Sequence, residues 1–505
     1  MGRWRTDIGV FVILLALTIV VRAGALFVSV IDWDESLYAL VARELMRGHL
    51  PYTTLWVNKP PGLFLIIAAG LKLFGTNVIA LRLVADIAVA LRAFLIHRLG
   101  MAFREGRAIG IIGAVFYIAA TAEGGGLATN SEIFLVPLLC AALLVVLAPQ
   151  ANRSRLRSRS AVWLGLWLGL ALQVKETAII ESVAIVAVAL LFWRIDLVRF
   201  TLIAAMAALP TAIALGCYAL AHQLPAYLDA NLYSSQRFSQ FIGLPPADVG
   251  LTMLREAGLL APLPLLAPIA IAIGLVDHNM STTTRAMIAA LSLWLAASFL
   301  DLLVVREYAG HQFVLLIPSM ALLSAYALWY FASRLAHAHA RSWVAAALAI
   351  VYLAHAVPAL LHDVRIVRER IATGNPAAGD EYSLVAQVVK EKMQGDRSLF
   401  VMHSQPVVYL LAGADIPSRY AYPPFFEYLV QEQIAGIDGA SEVRRVRLSK
   451  PHFLLTTYWV TDVDSRTLQA ELDRLYPDYK VVYSRDRVML FELRSLPPQS
   501  ATGTR

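Results

Sequence analysis

Between residues 8 and 361 the chain returns repeatedly to uninterrupted apolar runs, and this pattern leaves few architectures open. Several runs reach the roughly 20 residues that cross a bilayer core. Only 16% of the 505 residues are charged, against about 25% in soluble domains. Inside a bilayer every backbone group must find its partner within the protein, so a spanning segment is a helix or part of a closed barrel. Barrel strands alternate apolar and polar residues over about 10 positions, and these runs do not alternate. The chain therefore reads as a polytopic α-helical membrane protein.

Eleven spans are expected, at about 8–30, 77–98, 108–121, 132–149, 160–174, 177–193, 199–221, 258–276, 286–304, 312–332 and 342–361. Arg3 and Arg5 precede the first, which is too long for a signal peptide and lacks a small-residue cleavage site. The net charge of +7 does not call for nucleic acid. Its arginines fall in short loops, as in ANRSRLRSRS, where the positive-inside rule places them on the cytoplasmic side. That orientation puts the N-terminus in the cytoplasm and the polar motifs outside. Cys140 and Cys217 sit in apolar runs and read as small buried hydrophobes.

One polar stretch interrupts this pattern early: DWDESLYALVARELMRGHLPYTTLWVNKPPG, residues 32–62. Asp32 and Glu35 have capping-box spacing, which accounts for both. Leu37, Leu40, Val41 and Leu45 share one face, and Gly48 supplies a stop. The pattern predicts an amphipathic helix over 35–47 on the membrane surface. Lys59-Pro60-Pro61 makes an extended corner, and 62–75 reads as a second interfacial helix. The outer segment 222–257 reads as a long loop. Beyond residue 361 charges become common. LVAQVVKEKM, SLFVMHS, HFLLTTYWV, SRTLQAELDRLY and KVVYSRDRVMLFEL read as helix, strand, strand, helix and hairpin. The expected organisation is a membrane domain over 1–361, with an outer loop at 32–76, and a small extracytoplasmic α/β domain over 362–505.

Charged groups at the outer ends of spans are the first candidates for chemistry. Asp34 and Glu35, with Tyr38 and Arg43 on the same helix, offer a carboxylate for proton abstraction, or a helix cap. Glu132 opens the span at ATNSE, as a second acid or as a first-turn residue favoured by the helix dipole. Lys59, Lys175, Arg306 and His311 lie on separate outer loops, where they could hold a lipid phosphate or snorkel. No Walker loop, GxGxxG or HExxH is present, so the substrate must arrive activated, and a lipid-linked donor fits better than a nucleotide.

At these residues the chain resembles the GT-C glycosyltransferases. The likeness is to the bacterial branch of the protein O-mannosyltransferase family, which includes lipid A aminoarabinose transferases. The resembling blocks are DESLYALVARELMRGHLPY…NKPPG, TNSE, LGLALQVKE and REYAGHQFVLLIPSMALL, over about 32–325. The chain departs at Leu37, where aminoarabinose transferases carry Arg, and at Asn58, where they carry an acid. The resemblance implies inverting transfer of a sugar from a polyprenyl phosphate at the outer face of the inner membrane. The acceptor would be a glycolipid such as lipid A, a glycan or a protein in the periplasm. It places Asp34 at the catalytic carboxylate position and Glu132 at the second acidic one. Lys59, Lys175 and Arg306 match donor-phosphate positions, and Tyr38, Arg43 and His311 join them as substrate-binding candidates. No cofactor is implied with certainty, and a divalent metal is left open. The competing reading is a transporter or flippase of a lipid-linked sugar, which predicts charges at span centres and a repeat relating two halves.

Overall fold

The structure is a computed structural model. It describes residues 2–103, 106–123, 125–147, 155–241, 246–335, 347, 350, 352–354, 357–393, 395–457, 466–485 and 487–494. The expected span at 342–361 and the loop histidines 337 and 339 therefore fall largely outside the described residues, as do 151–154, 458–460 and the C-terminal tail.

Each expected span up to residue 332 falls on a helix. The first helices are α1 (Gly2–Arg22), α2 (Trp33–Met46), α3 (Pro61–Phe74), α4 (Val78–Gly100), α5 (Gly106–Ala120) and α6 (Ser131–Leu147). There follow α7 (Ser158–Leu172), α8 (Ile179–Phe192), α9 (Leu197–Leu220), α10 (Leu224–Leu228), α11 (Ser234–Phe241) and α12 (Pro246–Leu259). The last of the apolar part are α13 (Leu263–Val276), α14 (Thr282–Val305) and α15 (Ile317–Leu335). Among the described residues, three helices are long and apolar enough to cross a membrane, or four if the bent pair α12–α13 counts as one span. Shorter apolar helices, α3, α5, α6 and α7, pack beside them. The chain is a multi-pass membrane protein.

Helix α4 is the hub of the first half, packing against α1, α3, α5 and α6. Its neighbours reach it through charge as well as through apolar contact. Arg82 and Asp86 stand four residues apart, hence on one face of α4. The Arg82 guanidinium grips both carboxylate oxygens of Glu35 on α2. Asp86 Oδ1 accepts Arg22 Nε of α1 at 2.6 Å. All four groups are buried. A bare charge in such a place would cost several kcal/mol, so each depends on its partner.

The capping box at the start of α2 is present. Asp32 Oδ1 accepts Asp34 N at 3.1 Å, and Glu35 Oε1 accepts Asp32 N at 3.4 Å. Gly48, with φ +93°, follows its end. The expectation of a surface-lying amphipathic helix is revised. Residues Glu35 to Glu44 are all buried, because α3 covers one face and the helix Val407–Ala412 packs on another. The segment expected as a loop at 222–257 is largely helical, comprising α10, a π-helical turn Asp229–Tyr233, α11 and α12.

In the C-terminal part, α16 (Val357–Thr373) and α17 (Glu381–Lys392) precede a four-stranded sheet. Its strands are β1 (Leu399–Val401), β2 (Phe453–Thr457), β3 (Tyr479–Arg485) and β4 (Val488–Leu493), in the order β1-β2-β4-β3. β1 pairs parallel to β2, and the other pairs are antiparallel. The segment between β1 and β2 turns back onto the membrane part. Trp56 N donates to Arg419 O at 2.7 Å, and Phe425 packs edge-on against Trp56 with centroids 4.7 Å apart.

The two kinds of ion pair in this bundle differ in energetic weight. Arg82→Leu should lower the unfolding free energy by about 3–5 kcal/mol, because it strands Glu35 in the interior. Arg98→Leu should change it by less than about 1 kcal/mol, because its pair with Asp7 is partly solvated. Thermal unfolding of detergent-purified protein compares them, and equal losses would refute the assignment.

Candidate active site

A cavity of about 210 Å³ lies between one set of helix ends and the returning C-terminal segment. Asp34, Tyr38, Lys59, Glu132, Lys175 and His311 line it. Five separate stretches of chain thus meet in one place, and local structure explains how each arrives.

Asp34 is set by the cap of α2. Its Oδ2 accepts the Tyr38 hydroxyl at 3.0 Å, one turn along the same helix. Lys59 is set by the Pro60-Pro61 corner, where Pro60 is extended and Pro61 begins α3. Tyr52 donates to Lys59 O at 2.7 Å. The next residue, Gly62, touches the end of α7 closely. A Cβ there would stand 2.7 Å from Gln173 O, so only glycine fits. That contact, with Leu63 N donating to Gln173 O at 3.2 Å, brings Lys59 and Lys175 to one wall.

Glu132 and His311 come from the opposite side. Thr129 N donates to Glu35 Oε2 at 2.8 Å, which fixes the turn into α6. Glu132 Oε1 then accepts Lys175 Nζ at 2.7 Å, with both side chains buried. Gly125, at φ +78°, lets the 121–130 loop approach the loop after α14. A Cβ on it would stand 2.7 Å from His311 N. The loop after α14 carries Arg306 and Tyr308 with φ of +61° and +52°. Left-handed backbone at non-glycine residues is strained and concentrates at functional sites.

His311 Nδ1 lies 3.0 Å from Asp32 Oδ2. Asp32 is acceptor-only when ionised, so Nδ1 is the donor. Asn130 Nδ2 donates to the same oxygen at 2.9 Å. Asp32 therefore does more than cap α2, and this second task had no signal in the spacing. Asn130 and Glu307 were likewise missed, although both lie within motifs already singled out. Tyr422 and Phe425 also line the cavity, from a C-terminal segment that carries no recognisable motif.

Two expected residues lie elsewhere. Arg43 does not line the cavity, and it donates to Tyr409 O at 3.1 Å and pairs with Glu44 at 3.3 Å. Arg306 is exposed beside an adjoining groove formed by Phe238, Leu300, Leu303 and Val304.

The electrostatics separate the two aspartates. Burial, and then the charge of Asp32, pushes the Asp34 carboxyl up to about 6. Burial also acts against the Asp32 charge, but the hydrogen bond and charge of His311 outweigh it and hold that carboxyl low. For His311, burial opposes protonation, while the Glu132 charge and the Asp32 bond carry it up to about 9. Lys175 is likewise opposed by burial and carried upward by Glu132 and Asp301. The cavity thus holds an Asp34 carboxyl raised toward neutrality together with two groups, His311 and Lys175, whose protonated forms are favoured.

A family model described as dolichyl-phosphate-mannose-protein mannosyltransferase matches residues 58–218. The structure is similar to ArnT from Cupriavidus metallidurans bound to undecaprenyl phosphate. The TM-score is 0.63 at 16% identity, covering 95% of this chain and 97% of that one. The chain has the GT-C fold. Within that fold it is also similar to the Archaeoglobus fulgidus oligosaccharyltransferase in complex with Zn and sulfate. There the TM-score is 0.52 at 14% identity, covering 96% of this chain and 73% of the other. No curated protein sequence matches it. Among the described residues of this GT-C chain, no three His, Cys, Asp or Glu side chains stand together as metal ligands.

The coupling between the aspartates is measurable. Asp32→Asn keeps a residue that caps helices well but removes the neighbouring charge. The Asp34 carboxyl should then titrate below 6. Difference infrared spectroscopy of the carboxyl band, with Asp34→Asn as the blank, reads the shift. An unchanged or higher midpoint would show that Asp32 does not act on Asp34.

Proposed function

We propose that the protein is a membrane glycosyltransferase. It moves a sugar from a polyprenyl phosphate to a hydroxyl or amine of an extracytoplasmic acceptor, with inversion. One observation carries this reading: Asp34, a carboxyl pushed up to about 6, shares a cavity with Lys59, Lys175 and His311. A general base in one cavity with a group of cations is what a displacement at a sugar carbon with a phosphate leaving group needs.

In this mechanism the donor phosphate sits against Lys59, Lys175 and His311. Asp34 accepts the proton of the acceptor nucleophile, which attacks the anomeric carbon from the face opposite the phosphate. The bond between that carbon and the phosphate oxygen breaks, and the electron pair leaves with the polyprenyl phosphate. Tyr38 holds the Asp34 carboxylate in place. Glu132 acts through Lys175, as a positioning residue, since their ion pair fixes the ammonium. The apolar groove beside Arg306 adjoins the cavity through Val304 and Val305 and suits the prenyl chain. The excess of Arg in the inner loops orients the chain with its N-terminus in the cytoplasm and its sheet outside. The acceptor is a glycolipid such as lipid A, a glycan or a protein.

Turnover of undecaprenyl-phosphate sugars by the purified protein tests the reading, with acceptors identified by mass spectrometry of envelope glycolipids and glycans. Asp34→Asn should lower kcat by roughly 10²-fold or more, the scale of general base catalysis. Wild-type turnover should rise with pH through about 6, because Asp34 works only when deprotonated. Full turnover by Asp34→Asn would end this mechanism.

A further inference from the structure

An anionic phosphate entering this cavity meets carboxylates as well as cations. Asp34, Glu132 and Glu307 line the same space as Lys59, Lys175 and His311. Lys175 is already committed to Glu132 at 2.7 Å. A divalent ion is one general means of holding a phosphate beside carboxylates. The donor set at hand does not suit one. Asp32 Oδ2 already accepts from His311 and Asn130, and Asp32 Oδ1 from Asp34 N. Asp34 Oδ2 accepts from Tyr38. Metal ligation by His311 Nδ1 would require removing its proton and breaking the ion pair with Asp32. Ligation by Nε2 is compatible with that pair, but among the described residues no three His, Cys, Asp or Glu side chains stand together to complete such a site.

The ion pair itself points to a different solution. His311 lines the cavity while its Nδ1 is turned to Asp32. The other ring nitrogen, Nε2, is directed away from that carboxylate by the geometry of the imidazole. We propose that the imidazolium of His311, clamped by Asp32, takes the place of a divalent cation. Its Nε2–H meets the donor phosphate, and donor binding requires no metal. The proposal rests on the donor reading above.

The groups acting on His311 are Asp32 and Asp34 of α2 and Glu132 of α6, and Lys59, Lys175, Glu176 and Glu307 line the same cavity. Burial works against its charge, and Glu132 and Asp32 more than offset it, so the ring keeps its proton up to about pH 9. The contribution to binding is therefore present at neutral pH and lost as pH rises through about 9. Asp34 titrates near 6, and a phosphate monoester loses its second proton near about 6. Both lie below that window.

The experiment measures binding of undecaprenyl phosphate to the full-length protein in detergent, from about pH 7 to about pH 9.5. It is run with EDTA and with added Zn²⁺ or Mg²⁺. Wild-type affinity should change less than about twofold with chelator or metal, and should fall about threefold across the pH range. His311→Gln should bind about tenfold more weakly at pH 7, the scale of one charged hydrogen bond, and should lose the pH dependence. His311→Lys, which restores a cation, should recover most of the affinity at pH 7. Asp32→Asn should move the loss of binding to lower pH, a change that a merely structural role would not produce. Binding abolished by EDTA and restored by Zn²⁺ would overturn the inference, as would wild-type affinity in His311→Gln. A wild-type protein that never binds undecaprenyl phosphate would instead overturn the donor reading.

Discussion

The site depends on buried charges that cannot be left unpaired. Arg82 and Asp86 project from one face of α4, and each holds a partner from a different element, Glu35 of α2 and Arg22 of α1. Both pairs also bond to one loop. Arg22 donates to the carbonyls of Thr121, Gly126 and Leu127, and Glu35 accepts from Thr129 N. This loop delivers Glu132 to the cavity and Asn130 to Asp32. In a low-dielectric interior a lost partner is expensive, so the loop has little freedom to place them elsewhere. The ionic pairs act as a positional device, and their net contribution to stability is secondary to that.

The same logic continues into the cavity. Neighbouring carboxyls behave differently because their partners differ. Asp32 has a protonated histidine and an amide, and Glu132 has an ammonium. Asp34 is left with a tyrosine hydroxyl and the repulsion of Asp32. Two acids two residues apart are thereby driven to different protonation behaviour, which is how one site separates a base from a structural anion. The C-terminal segment completes the enclosure. Tyr422 packs edge-on against Trp33 at 5.8 Å and Phe425 against Trp56, so the roof rests on the same polar stretch that carries Asp34.

Much of this was legible because polar residues are conspicuous in an apolar chain. Asp34, Lys59, Glu132, Lys175 and His311 stand out at the ends of apolar runs, and the structure places all of them around one cavity. The helix over 35–47 and its stop at Gly48 were legible from periodicity and from glycine. Burial of that helix on several sides was not, because its covering elements lie far away in sequence. Arg22, Arg82 and Asp86 carry no motif, and inside spans they only lower the apparent apolarity. Pairing between distant residues leaves no local spacing to detect, so the second role of Asp32 was hidden behind its capping role. The segment at 222–257 reads as loop because its polar residues conceal short helices.

The proposed reaction is a single displacement at a sugar carbon, with Asp34 as the base and a lipid phosphate as the leaving group. The most direct measurement is the anomeric configuration of the product. It is read by NMR after turnover of a synthetic polyprenyl-phosphate sugar of known configuration by the purified protein. One attack opposite the phosphate predicts a product with the anomeric centre fully inverted. A product that retains the donor's configuration would require a covalent sugar–enzyme intermediate, and would contradict the assignment of Asp34 as a base acting on the acceptor.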